Sequence, residues 1–84
     1  MHVEQIVRRV LHTRSSRGVL VSHARLRQLR QQRVLTQDEL AEHAGVARST
    51  VLKLERDDQE ARPSTIRKLA RVLGVKPEDL LAGP

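Results

Sequence analysis

The chain contains no cysteine and no phenylalanine, tyrosine or tryptophan. Without cysteine it has neither a disulfide nor a thiolate metal site to hold it together. Without aromatic rings it lacks the stacking platforms on which single-strand binders and most sequence-specific RNA modules hold unpaired bases. Groove binding to duplex DNA needs no ring, so that possibility survives. No apolar run is long enough for a signal peptide or a membrane span, and a cytoplasmic location is expected. His2, His12, His23 and His43 do not have metal-ligand spacing. The acids stand at caps and loops, with no Ser–His–acid or paired-carboxylate arrangement. No metal, no cofactor and no enzymatic activity are therefore expected.

What the chain has is basic charge. Its 84 residues allow one small domain with a modest core, to which a second copy could add buried surface. The formal net charge is +6, which points to a polyanionic partner, nucleic acid before membrane. The excess is uneven. Residues 1–35 carry eight arginines against Glu4 alone, whereas residues 36–84 carry eight lysines and arginines against nine acids. The second part must attract a polyanion by local placement.

Residues 1–12 set Val3, Ile6, Val7, Val10 and Leu11 on one helical stripe. A polar linker, TRSSRG, follows at 13–18, and the β-branched residues 18–22 suit a short strand or extended arm. From Ala24 the pattern is helical. Thr36 with Glu39 forms a capping-box signature for a second helix over about 37–44. Gly45 suits a left-handed turn position, and a third helix follows at about 47–56. Residues 57–63 read as a polar loop. Ser64 is the expected cap of a fourth helix, ended by Gly74, and residues 76–79 resemble a fifth start, with Pro77 in its first turn. Residues 1–22 are assigned to an N-terminal extension and residues 23–82 to a helix-turn-helix domain.

Two short helices joined by a glycine-containing turn suit a helix-turn-helix, whose second helix enters the major groove. At 100° per residue, Val51 and Leu54 share one face of the third helix, and Arg48, Ser49, Leu52, Lys53 and Arg56 gather opposite. Arginine and lysine can donate to guanine N7 and O6, serine can adapt to either role, and Leu52 could touch a thymine methyl. Gln37 opens the preceding helix, where side chain and backbone N–H groups suit a phosphate. Ala47 cannot cap the third helix, and Arg48 puts a positive charge at its positive end.

Residues 24–81, ARLRQLRQQRVLTQDELAEHAGVARSTVLKLERDDQEARPSTIRKLARVLGVKPEDLL, resemble the Cro/phage-repressor helix-turn-helix family, of XRE or lambda repressor-like type. The motifs that carry the resemblance are T-Q-x-x-L-A, A-G-V, S-T-V-x-x-L-E and L-A-x-x-L-G-V. The resemblance implies an all-α bundle of five helices, usually a dimer on operator DNA, acting as a transcription regulator. It implies that Gln37 contacts phosphate, that Arg48, Ser49 and Lys53 read bases, and that Thr50 contacts DNA, although the wheel turns Thr50 toward the packed side. Arg56 and Arg62 match backbone-contacting loop positions. Arg30 and Glu55 match an internal ion pair.

The sequence departs from the family pattern at Ala47, where Ser or Thr is usual, at Leu52, where a small polar residue is usual, and at Val34, where Gly is common. The loop after the third helix is acidic, with Asp57, Asp58 and Glu60. The expected function is a sequence-specific, double-stranded-DNA-binding repressor acting as a homodimer. A DNA-binding antitoxin with a toxin partner and a protein-binding adaptor of the same fold are the alternatives. For residues 1–22 three readings stand: packing on the bundle or a second copy, a basic arm using Arg8, Arg9, Arg14 and Arg17, or an unpacked tail.

Overall fold

The computed structural model describes residues 18–83. The stripe at residues 3–11 and most of the linker lie outside the described residues. Strand β1 (Val19–Val21) leads into helix α1 (His23–Gln32), then α2 (Gln37–Ala44) and α3 (Arg48–Arg56). Strand β2 (Gln59–Ala61), helix α4 (Pro63–Leu73) and a 3-10 turn (Pro77–Leu80) complete the order.

The architecture corrects the expectation of an all-α, five-helix bundle. There are four α-helices among the described residues, with a 3-10 turn where a fifth helix was expected and a two-stranded antiparallel sheet. The fifth helix stops after one turn because Leu81 is extended, bridges Val21, and is followed by an Ala82 N–H that donates to the Leu20 carbonyl at 3.0 Å. The expected polar loop at 57–63 contains β2, whose Gln59, Glu60 and Ala61 pair with Val21, Leu20 and Val19. Nothing in Gln-Glu-Ala favours a strand; the pairing with β1 imposes it. Helix α4 starts two residues earlier than a Ser64 cap implies. Arg62 is its N-cap and Pro63 its first residue, a position where proline's missing N–H costs nothing.

The other boundaries follow local chemistry. Thr36 Oγ1 accepts from the Glu39 N–H at 3.0 Å, and Glu39 Oε1 accepts from the Thr36 N–H at 2.9 Å, so the capping box closes in both directions. Gly45 ends α2 at φ 72°, and the Val46 N–H reaches back to the Ala41 carbonyl at 3.0 Å. This closing turn sets the angle between α2 and α3. Gly74 ends α4 at the same φ, and a side chain there would collide with the Arg33 guanidinium. Arg33 Nε in turn donates to the Leu73 carbonyl at 2.9 Å.

The core lies where the four helices and β1 meet. Leu26, Leu40, Val51, Leu54, Ile66, Leu69, Leu73 and Leu80 are buried, and Val21 joins them fully buried. The Val19–Val21 segment therefore packs on the bundle through Val21, while Val19 and Leu20 stay partly exposed. His23 and Asp58 tie the start of α1 to the segment after α3. The His23 N–H donates to Asp58 Oδ1 at 3.0 Å, and the imidazole Nδ1 faces the same oxygen.

Val34 stands between α1 and α2 at φ 56°, the left-handed region that a β-branched residue adopts only under strain. It is 87% exposed, so it gains no burial in return. Val34→Gly is expected to raise unfolding stability by about 1 kcal/mol, as relieved strain outweighs the added chain entropy. Urea denaturation checks this.

The hydrogen bonds to Glu39 and Asp58 also predict an acid response. The Thr36 backbone and side chain hold the Glu39 carboxyl below its ordinary pKa, and the His23 backbone and side chain do the same for Asp58. A carboxyl whose folded pKa is depressed stabilises the fold above its unfolded pKa, and loses that contribution as pH falls through the folded value. Urea midpoints should therefore drop once the pH falls below about 4. Asp58→Asn should flatten part of that fall.

Candidate nucleic-acid interface

Helix α3 is held from below by three buried residues, Val51, Leu54 and Glu55. The two apolar anchors are those the helical wheel identifies. Glu55 is 1% exposed, a carboxylate that must be compensated. Arg30 supplies a two-pronged contact, with Nε 2.6 Å from Oε2 and Nη2 2.9 Å from Oε1. The expected Arg30–Glu55 pair is thus present. Arg30 Nη1 donates to the Leu35 carbonyl at 2.7 Å, which ties the α1–α2 connection to the same group. Gln37 Nε2 donates to Glu55 Oε1 at 3.1 Å. Arg27 Nη2 donates to the Glu55 carbonyl at 3.0 Å. Helices α1 and α2 therefore converge on one residue of α3, and no buried side-chain polar atom is left without a partner among the described residues.

The face opposite these anchors is open. Arg48, Ser49, Lys53 and Arg56 are exposed, and Leu52 is 39% exposed. These five expected residues share one side of α3. Thr50 is half-buried and lines a groove with Lys53, Arg62 and Thr65, so helix α3, the start of α4 and the β2 segment share one open surface. Arg62 stands at the N-cap of α4 and is exposed. Gln37 is half-buried and its amide is turned inward to Glu55. That inward bond is invisible in the sequence, which showed only a polar residue at a helix start. The backbone N–H of Gln37, at the first helical position, has no acceptor within its own helix.

The start of α3 is uncapped, as its alanine requires. Ala47 makes no side-chain cap, and its carbonyl accepts from the Thr50 N–H at 3.0 Å. The N–H groups of Arg48 and Ser49 have no acceptor within the helix. Helix α4 begins in the same way, with no side-chain cap at Arg62. Two helix starts thus present basic side chains beside unsatisfied donors, the arrangement that suits an anion.

Three acids near this face are engaged, while Glu60 is exposed and lines the groove with Thr50, Lys53 and Arg62. Asp38, which the sequence reading did not single out, lies 2.6 Å from Arg48 Nε. Its only sequence signal was an acid one turn position after Gln37. Asp57 accepts from Gln59 Nε2 at 2.6 Å, and Asp58 holds His23. The acidic character of the segment after α3 thus serves the joint between α1, α3 and β2. No cluster of His, Asp or Glu suited to a metal occurs among the described residues, and no described helix is long and apolar enough to cross a membrane.

A helix-turn-helix family model matches residues 26–80. The chain belongs to the XRE-type helix-turn-helix family. Members of this family are DNA-binding transcription regulators. The chain is 43% identical over 58 residues to the HTH-type transcriptional regulator RghRB of Bacillus subtilis (strain 168). That match covers 68% of this chain and 42% of RghRB, so the chain spans less than half the length of that relative. The fold is similar to the restriction-modification controller protein C.AhdI of Aeromonas hydrophila, with a TM-score of 0.65 and 37% identity over 70% of this chain and 89% of that one. It is also similar to SinR of Bacillus subtilis, a master regulator for biofilm formation solved in complex with DNA. There the TM-score is 0.64 and the identity 32%, over 67% of this chain and 90% of that one. These relatives are regulators rather than enzymes.

Removing one partner of a buried ion pair strands the other. Arg30→Met should destabilise the helix-turn-helix domain by about 3–5 kcal/mol. Arg27, whose side chain is 52% exposed and 4.0 Å from the Glu55 carboxylate, should cost about 1 kcal/mol or less when changed to Met. Urea denaturation of the two variants gives the comparison.

Proposed function

We propose that this helix-turn-helix domain binds double-stranded DNA sequence-specifically, with α3 in the major groove, as a homodimeric repressor. The observation that carries this reading is the basic face of α3, open on one side and fixed on the other by Val51, Leu54 and Glu55. Arg48, Ser49 and Lys53 are the proposed base-reading residues, and Leu52 is the proposed contact to a thymine methyl. Thr50, Arg56 and Arg62 are proposed to follow the sugar-phosphate backbone. Gln37 is proposed to meet phosphate through its backbone N–H, with its side chain committed to Glu55.

The homodimer and the repressor outcome rest on the family and on its similarity to regulators such as C.AhdI and SinR. Dimers of this motif class read half-sites about one helical turn apart. Binding should weaken steeply with salt, because each neutralised phosphate releases condensed counterions. An adaptor that uses the fold without reading DNA would show no salt-dependent duplex binding, and a co-purifying toxin would favour the antitoxin reading.

In-vitro selection of duplexes from a random pool supplies the site. On that site, Arg48→Ala should cost about 1–3 kcal/mol and relax preference at one base pair. Gln37→Ala keeps the backbone N–H and should leave affinity for specific and random duplexes nearly unchanged, while lowering unfolding stability by about 1–3 kcal/mol through the lost bond to Glu55. Equal losses on specific and random DNA for Arg48→Ala would contradict base reading.

A further inference from the structure

Asp38 and Arg48 open successive helices and meet at 2.6 Å, Oδ1 to Nε. Both side chains are well exposed, at 64% and 67%. An ion pair so open to water contributes little to stability. A carboxylate on a surface facing DNA also works against binding, since it repels phosphates. Asp38 lies in the first turn of α2, where an acid is favoured by the helix end, which accounts for the acid itself and not for its meeting Arg48. The atom it meets supplies an explanation. A carboxylate against the Nε side of the guanidinium draws the long arginine stem toward α2 and limits the directions it samples. The terminal Nη1–Nη2 edge remains available, and that edge can span guanine O6 and N7.

We propose that Asp38 is a positioning residue that orients Arg48 for one base pair, exchanging general affinity for discrimination. A free arginine at this position samples many rotamers and accepts phosphate as readily as guanine. Drawn to Asp38, it samples fewer directions, and the neighbouring carboxylate disfavours a phosphate in the same place. The adjacent groups fit this role. The Thr36–Glu39 capping box fixes the first turn of α2 without using Asp38, and the uncapped start at Ala47 leaves Arg48 free to lean toward α2. The inference rests on the base-reading role of Arg48.

The test is a binding matrix. Wild type, Asp38→Asn, Asp38→Glu, Arg48→Ala and the Asp38→Asn/Arg48→Ala double variant are titrated with the selected duplex, with single-base-pair variants of it, and with random duplex. Circular dichroism confirms each fold, and Asp38→Ser replaces Asp38→Asn if that variant does not fold. Asp38→Asn should lower discrimination about tenfold at the base pair that Arg48→Ala relaxes, with affinity for random duplex unchanged or raised. The same change should have no effect on discrimination in the Arg48→Ala background, and Asp38→Glu should restore part of it. Unchanged discrimination in Asp38→Asn, or a uniform shift on every duplex, overturns the proposal and leaves Asp38 as a helix-end charge. If Arg48→Ala relaxes no base pair, the base-reading role falls, and this inference with it.

Discussion

The buried carboxylate of Glu55 is the constraint to which the rest of the domain is fitted. A charge with almost no access to water must be matched by donors, and the donors come from other elements: Arg30 of α1 and the Gln37 amide at the start of α2. Because Glu55 belongs to α3, satisfying it fixes how α3 lies against its two predecessors. Apolar contacts from Val51 and Leu54 give cohesion, but they tolerate small rotations of a helix. A two-pronged arginine contact does not, since both N–H groups lose their oxygens when the plane turns. An ion pair of this kind does not guarantee added stability over an apolar substitute; here it supplies orientation.

Around α3 the charges divide by what they are asked to hold. The acids nearest the helix are committed within the protein: Asp58 to the start of α1, Asp57 to Gln59 and Asp38 to Arg48. Lys53, Arg56 and Arg62 are exposed on or beside the open face. A nearly neutral segment thus carries a locally basic face on α3, with part of its negative charge used inside its own joints and Glu60 left exposed in the neighbouring groove. The net charge of residues 36–84 hides that distribution.

Much of the domain was legible because its signals are local. The hydroxyl and Glu three residues apart mark the start of α2, glycines end α2 and α4, and an alanine foretells an uncapped α3. The apolar pair Val51 and Leu54 identifies the open face of α3 without any coordinates. Elements set by distant partners were not legible. Gln59-Glu60-Ala61 becomes a strand only because β1 lies alongside, and the 3-10 turn stops where Leu81 meets Val21. At the start of α4 the signal is local: Pro63, suited to a first helical position, marks it better than the Ser64 hydroxyl. The inward turn of the Gln37 amide and the Asp38–Arg48 contact depend on the angle between α2 and α3, which no spacing in the sequence reports.

Strand β1 has a topological consequence. Val21 bridges Leu81, the Ser22 N–H donates to the Leu80 carbonyl at 2.9 Å, and the Ala82 N–H donates to the Leu20 carbonyl. The first and last stretches of the described chain are therefore stitched side by side. The domain closes on itself like a loop with a clasp, so its sequential order is nearly arbitrary to its packing. A short bridge could join the two ends while the chain is opened at an exposed connection elsewhere, giving a circular permutant with the same core. The same clasp means that a pull applied at the two ends loads a few backbone hydrogen bonds at the edge before it reaches any helix.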